Sequence, residues 1–353
     1  MSLKYILTFD YELFGSGRGD IHKHIIAPTQ RIIDIMGKHN IKATFFVEIL
    51  EVEAILSLKK SYPKQSREYR DAVALENQIH NLIMLGHDIQ LHLHPQWYGA
   101  KYINGNWDLN FDLWRFSSLP YRTEGLVPGK YDLIKYGKFA LEQLIQKVKQ
   151  DYKCVAFRAG GYNVGTDKSS LQALLENDII LDSSICPGYF TQKALCQYDY
   201  RDAPDEMCYW LSSDSLIRPV EKKTNDKTCI ELPLLTINSS KLDKISFSRI
   251  LNQIRNKKFK HINYLPNDKQ EYSNEIAAKN SNYDICLSSR RQILKFNEKI
   301  NYLNTGDNTT ITLIGHPKDY SFFSPLSRIL KKINSESFIT VDFFVKEVKN
   351  VYK

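Results

Sequence analysis

The 353-residue chain has no apolar run near the roughly 20 residues that a bilayer-spanning helix needs, so no transmembrane segment is expected. Its opening, MSLKYILTFDYE, reaches charge after a handful of apolar positions. That is too short for the apolar core of a secretion signal, and a cytoplasmic location is expected. Cysteine is sparse: Cys154, Cys186, Cys196, Cys208, Cys229 and Cys286 form no CxxC pair, which excludes a zinc knuckle or a disulfide framework. The formal charge is +8, yet no basic helix or nucleic-acid motif gathers the lysines, and no nucleic-acid partner is expected. Repeats and low-complexity tracts are missing too. Residues 1–353 are therefore read as one domain.

What is present is an alternation of short β-like runs with amphipathic helical patterns, the mark of parallel strands joined by crossover helices. Strands are expected at 4–9 (KYILTF), 42–47 (KATFFV), 87–94, 154–157, 179–182, 229–232 and 311–314. Helices are expected near 28–38, through Leu75, Ile79, Leu82 and Ile83 up to Gly86, through Leu141 to Val148, after Thr166 or Asp167 as cap, and after Ser324 with Pro325 at the first helical position. About seven strands favour a closed or nearly closed α/β barrel over an open sheet. Two segments break the alternation: an aromatic one at about 95–131 and a polar one, rich in Asn and Lys, at about 255–310.

Residues at i and i+2 on a strand share a face. His92 and His94 in GHDIQLHLHPQW therefore point the same way, as do Asp10 and Glu12 in LTFDYE. Both pairs fall at the C-terminal ends of predicted parallel strands, where barrel enzymes carry their chemistry. Two imidazoles and a carboxylate around an open position suit a hydrolytic zinc ion. Arg158 in FRAGGY, Asp182 in LDSS and His316 in LIGHPK add ionisable groups at three more strand ends.

In this order, TFD, KATFFV, GHDIQLH, FRAGGY, LDSS and LIGHP resemble the motifs of the polysaccharide deacetylase (NodB-homology) family, over residues 4 to about 318. The resemblance implies a distorted (β/α)7 barrel with inserted loops and metal-assisted removal of N-acetyl groups from sugars. The family places a second metal-binding aspartate directly after the first, and a second histidine four residues beyond the first. Here those positions are Tyr11 and Gln96, so Glu12 and His94 take the roles, as in superfamily members with a D-x-acid start and an H-x-H-P element. Pro95 keeps His94 extended.

The expected site is a divalent ion, zinc by its ligand types, held by Glu12, His92 and His94. Asp10 is the expected base, oriented by Arg158, and His316 the acid, oriented by Asp182. A backbone N–H near Tyr162 is expected to help hold the oxyanion. Trp97, Trp107 or Trp114 are candidate sugar platforms, and Arg18 in GSGRGD a candidate phosphate contact; packing within the insertion and a plain glycine turn are the alternatives. His22, His24 and His87 are read as structural or surface residues. The expected substrate is an N-acetylated or N-formylated amino sugar, nucleotide- or lipid-linked, in the assembly of a cell-surface glycan or O-antigen. The alternatives are a metal-independent hydrolase of a cyclic or linear amide, and a catalytically decayed carbohydrate-binding protein.

Overall fold

The computed structural model describes residues 3–220, 227–262, 280–304 and 309–351. Seven parallel strands form its centre: β1 (Lys4–Tyr11), β2 (Thr44–Glu48), β3 (Asp88–Leu93), β4 (Ala156–Ala159), β5 (Leu181–Asp182), β6 (Cys229–Glu231) and β7 (Thr310–Gly315). They lie side by side in the order β6-β5-β4-β3-β2-β1-β7. An antiparallel strand, Trp210–Ser212, extends the sheet beyond β6, and Phe338–Ile339 pairs with β1. The sheet curls until chain following β6 meets β7. Leu235 N–H donates to the Thr312 carbonyl at 3.2 Å, and Ile285 N–H to that of Ile314 at 2.8 Å. The result is the nearly closed α/β barrel expected from the strand count, distorted as the resemblance implies.

β2, β3 and β7 are buried at every position, because a parallel sheet is covered on both faces. The covering helices are α1 (Ala27–Gly37), α2 (Ile49–Ser61), α3 (Arg67–Met84), α4 (Lys130–Gln146), α5 (Lys168–Glu176), α6 (Phe247–Lys260), α7 (Arg290–Leu303), α8 (Leu326–Leu330) and α9 (Val341–Val351). Asp167 caps α5 by accepting from Ser170 N–H at 3.1 Å, as its position predicts.

Three expectations need correction. Two helices, not one, lie between β2 and β3. α2 is apolar around much of its circumference, so it carries little of the one-sided periodicity that reveals a helix. Ser324 does not cap the helix after it; its hydroxyl accepts from Ser321 N–H at 2.9 Å, and α8 begins beyond Pro325. The polar stretch 255–310 contains the end of α6, a strand at Asn280–Asn282 and all of α7, while its residues 263–279 and 305–308 lie outside the described residues.

The barrel interior is filled from below. Ile6, Phe46, Ala156, Leu181 and Ile230 pack with Val341, Phe344, Val345 and Val348 of α9. Thr44 Oγ1 accepts from Val341 N–H at 2.9 Å and Asp88 Oδ2 from Asp342 N–H at 3.1 Å, tying the start of α9 to β2 and β3. With that end plugged, the opposite mouth is the one open to chemistry.

Candidate active site at the barrel mouth

Strand register decides which side chains share a layer. Glu48 of β2 is level with His92 of β3, which is level with Arg158 of β4, while Asp10 of β1 lies one layer below. Glu12 and His94 follow two residues beyond Asp10 and His92, on the same face. All six are buried.

Glu12, His92 and His94 converge. Each offers one ligand atom, and the three atoms lie within 4.8 Å of one another. Glu12 Oε2 is 2.8 Å from His94 Nε2 and 3.6 Å from His92 Nε2, with the rings crossed at 83°. His92 Nδ1 donates to the Arg158 carbonyl at 2.8 Å, which leaves Nε2 facing the cluster, buried and without a hydrogen-bond partner. A ring nitrogen oriented by its partner nitrogen's bond to a carbonyl is the usual support of a metal-binding histidine. Gln96 Nε2 lies 3.1 Å from His94 Nδ1, and Gln96 Oε1 is buried without a partner. A half-turn of that amide would offer the oxygen to Nδ1 and free Nε2 of His94 in the same way. Gln96 thus stands behind His94, not in its place. The donor set fits a divalent ion with an open position.

Lys318, two residues after His316, was not anticipated. Its largely buried ammonium is 2.6 Å from Glu12 Oε1 and 2.6 Å from the Leu13 carbonyl. Glu12 is therefore divided: Oε1 faces the lysine and Oε2 the imidazoles. Glu48 and Glu51 crowd the same corner. Glu48 is the N-cap of α2 through Leu50 N–H at 3.1 Å, and Glu51 accepts from Leu13 N–H at 2.9 Å. Burial, reinforced by the Glu12 charge, pushes both carboxyls well above the usual carboxylate range. Burial works the same way on Glu12, yet Lys318 and His94 outweigh it and hold Glu12 well below that range.

Asp10 is clamped. Its Oδ1 accepts from Arg158 Nη1 at 2.6 Å, and Arg158 is itself fixed by the Ser183 carbonyl at 2.8 Å, Ser183 Oγ at 2.9 Å and Thr8 Oγ1 at 3.1 Å. Burial opposes ionisation, but Arg158 together with His92 keeps Asp10 charged, well below the usual range. Asp10 Oδ2 is left facing His316 Nε2 at 3.5 Å. Burial lowers His316 and His94 alike. The Asp10 carboxylate reverses this for His316, which is raised above the ordinary imidazole value, whereas His94 stays lowered despite Glu12. One imidazole is suited to hold a proton and the other to offer a lone pair.

The expected pairing of Asp182 with His316 is not what the structure shows. Asp182 accepts from Ser184 N–H at 2.9 Å and Ser184 Oγ at 2.8 Å, level with Glu231 on β6. Burial raises Asp182 to about 6 and Glu231 well above its usual value, so Glu231 is the protonated partner of a carboxyl pair. The groups near His316 are Asp284 and Asp319, whose oxygens lie within 4.8 Å of a His316 ring nitrogen. The Asp284 oxygen Oδ1 is held by Cys286 N–H at 2.7 Å and Leu287 N–H at 3.0 Å, and that of Asp319 by Asn252 at 2.7 Å and Lys260 at 3.0 Å.

A folded-state value raised above the unfolded 3.8 contributes stability that is present in acid and lost as pH rises through about 6. Asp182→Asn removes that loss. Its melting temperature relative to wild type is expected to improve between pH 4 and pH 8, by up to about 3 kcal/mol of relative stability, as read in thermal scans; a constant difference would contradict a protonated pair.

Tyr162 follows β4 at φ 63°, next to Gly161 at φ 57°. A Cβ on Gly160 would stand 2.5 Å from the His94 ring, so the glycine lets this turn lie against the imidazole. The Tyr162 hydroxyl accepts from Asn282 Nδ2 at 2.8 Å. Among the tryptophans, Trp97 is buried edge-on against Trp107 at 5.3 Å and packs the insertion, so the expected sugar contact fails there. Trp114 is also largely buried, its ring edge-on to His94 at 5.5 Å. Trp107 and Arg18 instead line a cavity of about 560 Å³ beside Leu13, with Tyr102, Arg67 and Lys258. His24 and His87 are buried within the fold, and His22 Nε2 faces Asp71 at 3.1 Å.

No protein-family model matches the chain, and no protein of curated function matches its sequence. Among solved structures, one from Mycobacterium smegmatis described as a polysaccharide deacetylase aligns over 96% of this chain and 92% of its own, with 12% identity and a TM-score of 0.40. A family 4 acetyl xylan esterase from Clostridium thermocellum, in complex with a cobalt ion, aligns over 44% of this chain and 47% of its own, with 20% identity and a TM-score of 0.23. A 4-α-glucanotransferase from Thermococcus litoralis aligns over 98% of this chain and 40% of its own, with 10% identity and a TM-score of 0.49.

Tyr11 is the last residue of β1. It points to the other face of β1, where its hydroxyl donates to Gln78 Oε1 at 2.9 Å. Glu12, one residue later, is back on the face of Asp10.

Proposed function

We propose that the protein is a divalent-metal-dependent hydrolase that removes an N-acetyl or N-formyl group from an amino sugar. The carrying observation is Glu12 Oε2 directed at both imidazoles, with the unpartnered Nε2 of His92, beside a clamped Asp10. A cation held by Glu12, His92 and His94, zinc by ligand type, would polarise the amide carbonyl and acidify water. Asp10 Oδ2 takes the water's proton; Arg158 keeps that carboxylate ionised and aimed. His316, protonated beside Asp10, gives its proton to the departing amine from Nε2. A backbone N–H near Tyr162 would help hold the oxyanion. Tyr162 and the Arg18–Trp107 cavity are the proposed contacts to the rest of the sugar, and the substrate proposed is nucleotide- or lipid-linked and met in the cytoplasm.

Lys318 favours a second reading. An ammonium already bound to Glu12 could serve as the site's own cation, in a metal-independent hydrolase of a cyclic or linear amide. The two readings separate on acetate release from N-acetylated nucleotide sugars and lipid-linked oligosaccharides. Strong chelation is expected to stop release and added zinc to restore it; release that survives chelation selects the metal-free reading. No release from any acylated sugar, with no ion bound, would leave the decayed carbohydrate-binding protein.

A further inference from the structure

α6 has its polarity inverted. Ser248, Asn252 and Asn256 face inward and are buried, while Phe247, Ile250 and Ile254, at i, i+3 and i+7, face out with 62%, 49% and 74% of their surface exposed. The inward asparagines are occupied: Asn252 binds Asp319 and Asn256 the Lys318 carbonyl, at 2.7 and 3.1 Å. The helix is thus fastened by its polar side to the segment carrying His316 and Lys318, at the barrel mouth.

The outward stripe does not stand alone. Phe247 meets Phe323 at 4.4 Å, and Phe323 meets Phe322 at 5.6 Å; Phe322 is 88% exposed. Leu242 and Ile245, just before α6, are also mostly exposed. Single exposed apolar side chains are ordinary, but a connected set on one face marks an interaction surface. In residues 241–260, seven side chains are Lys or Arg and one, Asp243, is acidic, and that one is held by Lys295 at 2.6 Å.

We infer that α6 and the Phe322–Phe323 loop form a docking surface for an anionic lipid bilayer, lying flat in its interface. Apolar side chains flanked by lysine and arginine are what such a surface requires. A second copy of this chain is disfavoured as the occupant, because pairing the face with itself would set its basic charges against each other. Docking in this way holds the barrel mouth beside the headgroups. On the amide-hydrolase reading, which this step alone assumes, the substrate is then the lipid-linked form of the amino sugar rather than the nucleotide-linked one.

The test sediments the full chain with vesicles of phosphatidylcholine alone or of phosphatidylcholine and phosphatidylglycerol. Binding to the anionic vesicles is expected to exceed that to neutral ones by about tenfold or more and to weaken with salt. Ile254→Ser with Phe322→Ser, and separately Lys241→Glu with Lys257→Glu, should each reduce it about tenfold while hydrolysis of a soluble acylated sugar is unchanged. Absence of vesicle binding, binding indifferent to these substitutions, or concentration-dependent self-association that they abolish would each overturn the proposal. Vesicle binding by a protein without amidase activity would sink the enzymatic reading and leave the docking surface standing.

Discussion

Glu12→Gln is expected to lose both the divalent ion and activity, and to lower the melting temperature. Neutral Gln keeps the shape and can keep an oxygen for Lys318, but it supplies no anion, so the ammonium loses its charged hydrogen-bond partner in a largely buried corner. Removing one partner of a buried ion pair costs about 3–5 kcal/mol, most of it from the charge left behind. The second substitution Lys318→Met should therefore return much of the lost stability to Glu12→Gln while the ion remains unbound. Thermal unfolding and elemental analysis on the two variants read the two effects separately. If the double variant were no more stable than the single one, Lys318 would not be the counterion of Glu12.

Asp10→Asn is expected to bind the ion and yet turn over on the order of a hundredfold or more slowly, the usual scale of a lost general base. Asn retains an oxygen for Arg158, and the guanidinium keeps Ser183 and Thr8 as partners, so the clamp has support without the charge. The same change removes what lifts His316 above its ordinary value. The alkaline limb of the residual pH profile should accordingly move to lower pH. Near-normal turnover, or an unmoved limb, would take Asp10 out of the mechanism.

Much of the mouth was readable because its parts lie where an apolar strand stops at an ionisable residue. Asp10, Glu12, His92 and His94 are such cases, and the two-residue spacing fixes a shared face whatever the rest of the chain does. The same signal says how far along the barrel axis a residue sits but not its place around the rim. Asp182 was accordingly given the wrong neighbour: β5 and β7 are separated by β6 and the closing segments, and His316 meets Asp284 and Asp319 from outside the strands. Glu48 and Glu51 escaped notice because glutamates at a helix start usually face water. Only the curl of the sheet buries them behind Glu12. Lys318 sits in a HPK turn that reads as solvated, and its meaning depends on a residue 306 positions away. The aromatic segment's hairpin, Lys101–Ile103 with Asn106–Asp108, was within reach, since Asn104 and Gly105 at positive φ are a familiar two-residue turn.

The most direct measurement is the divalent metal content of protein purified without chelator and then supplied with zinc, read beside that of Glu12→Gln. About one ion per chain in the wild type, lost together with amide hydrolysis on chelation and absent from the variant, is the expected result. Hydrolysis that proceeds with no ion bound, or an ion retained equally well without Glu12, would contradict a metal site built from Glu12, His92 and His94.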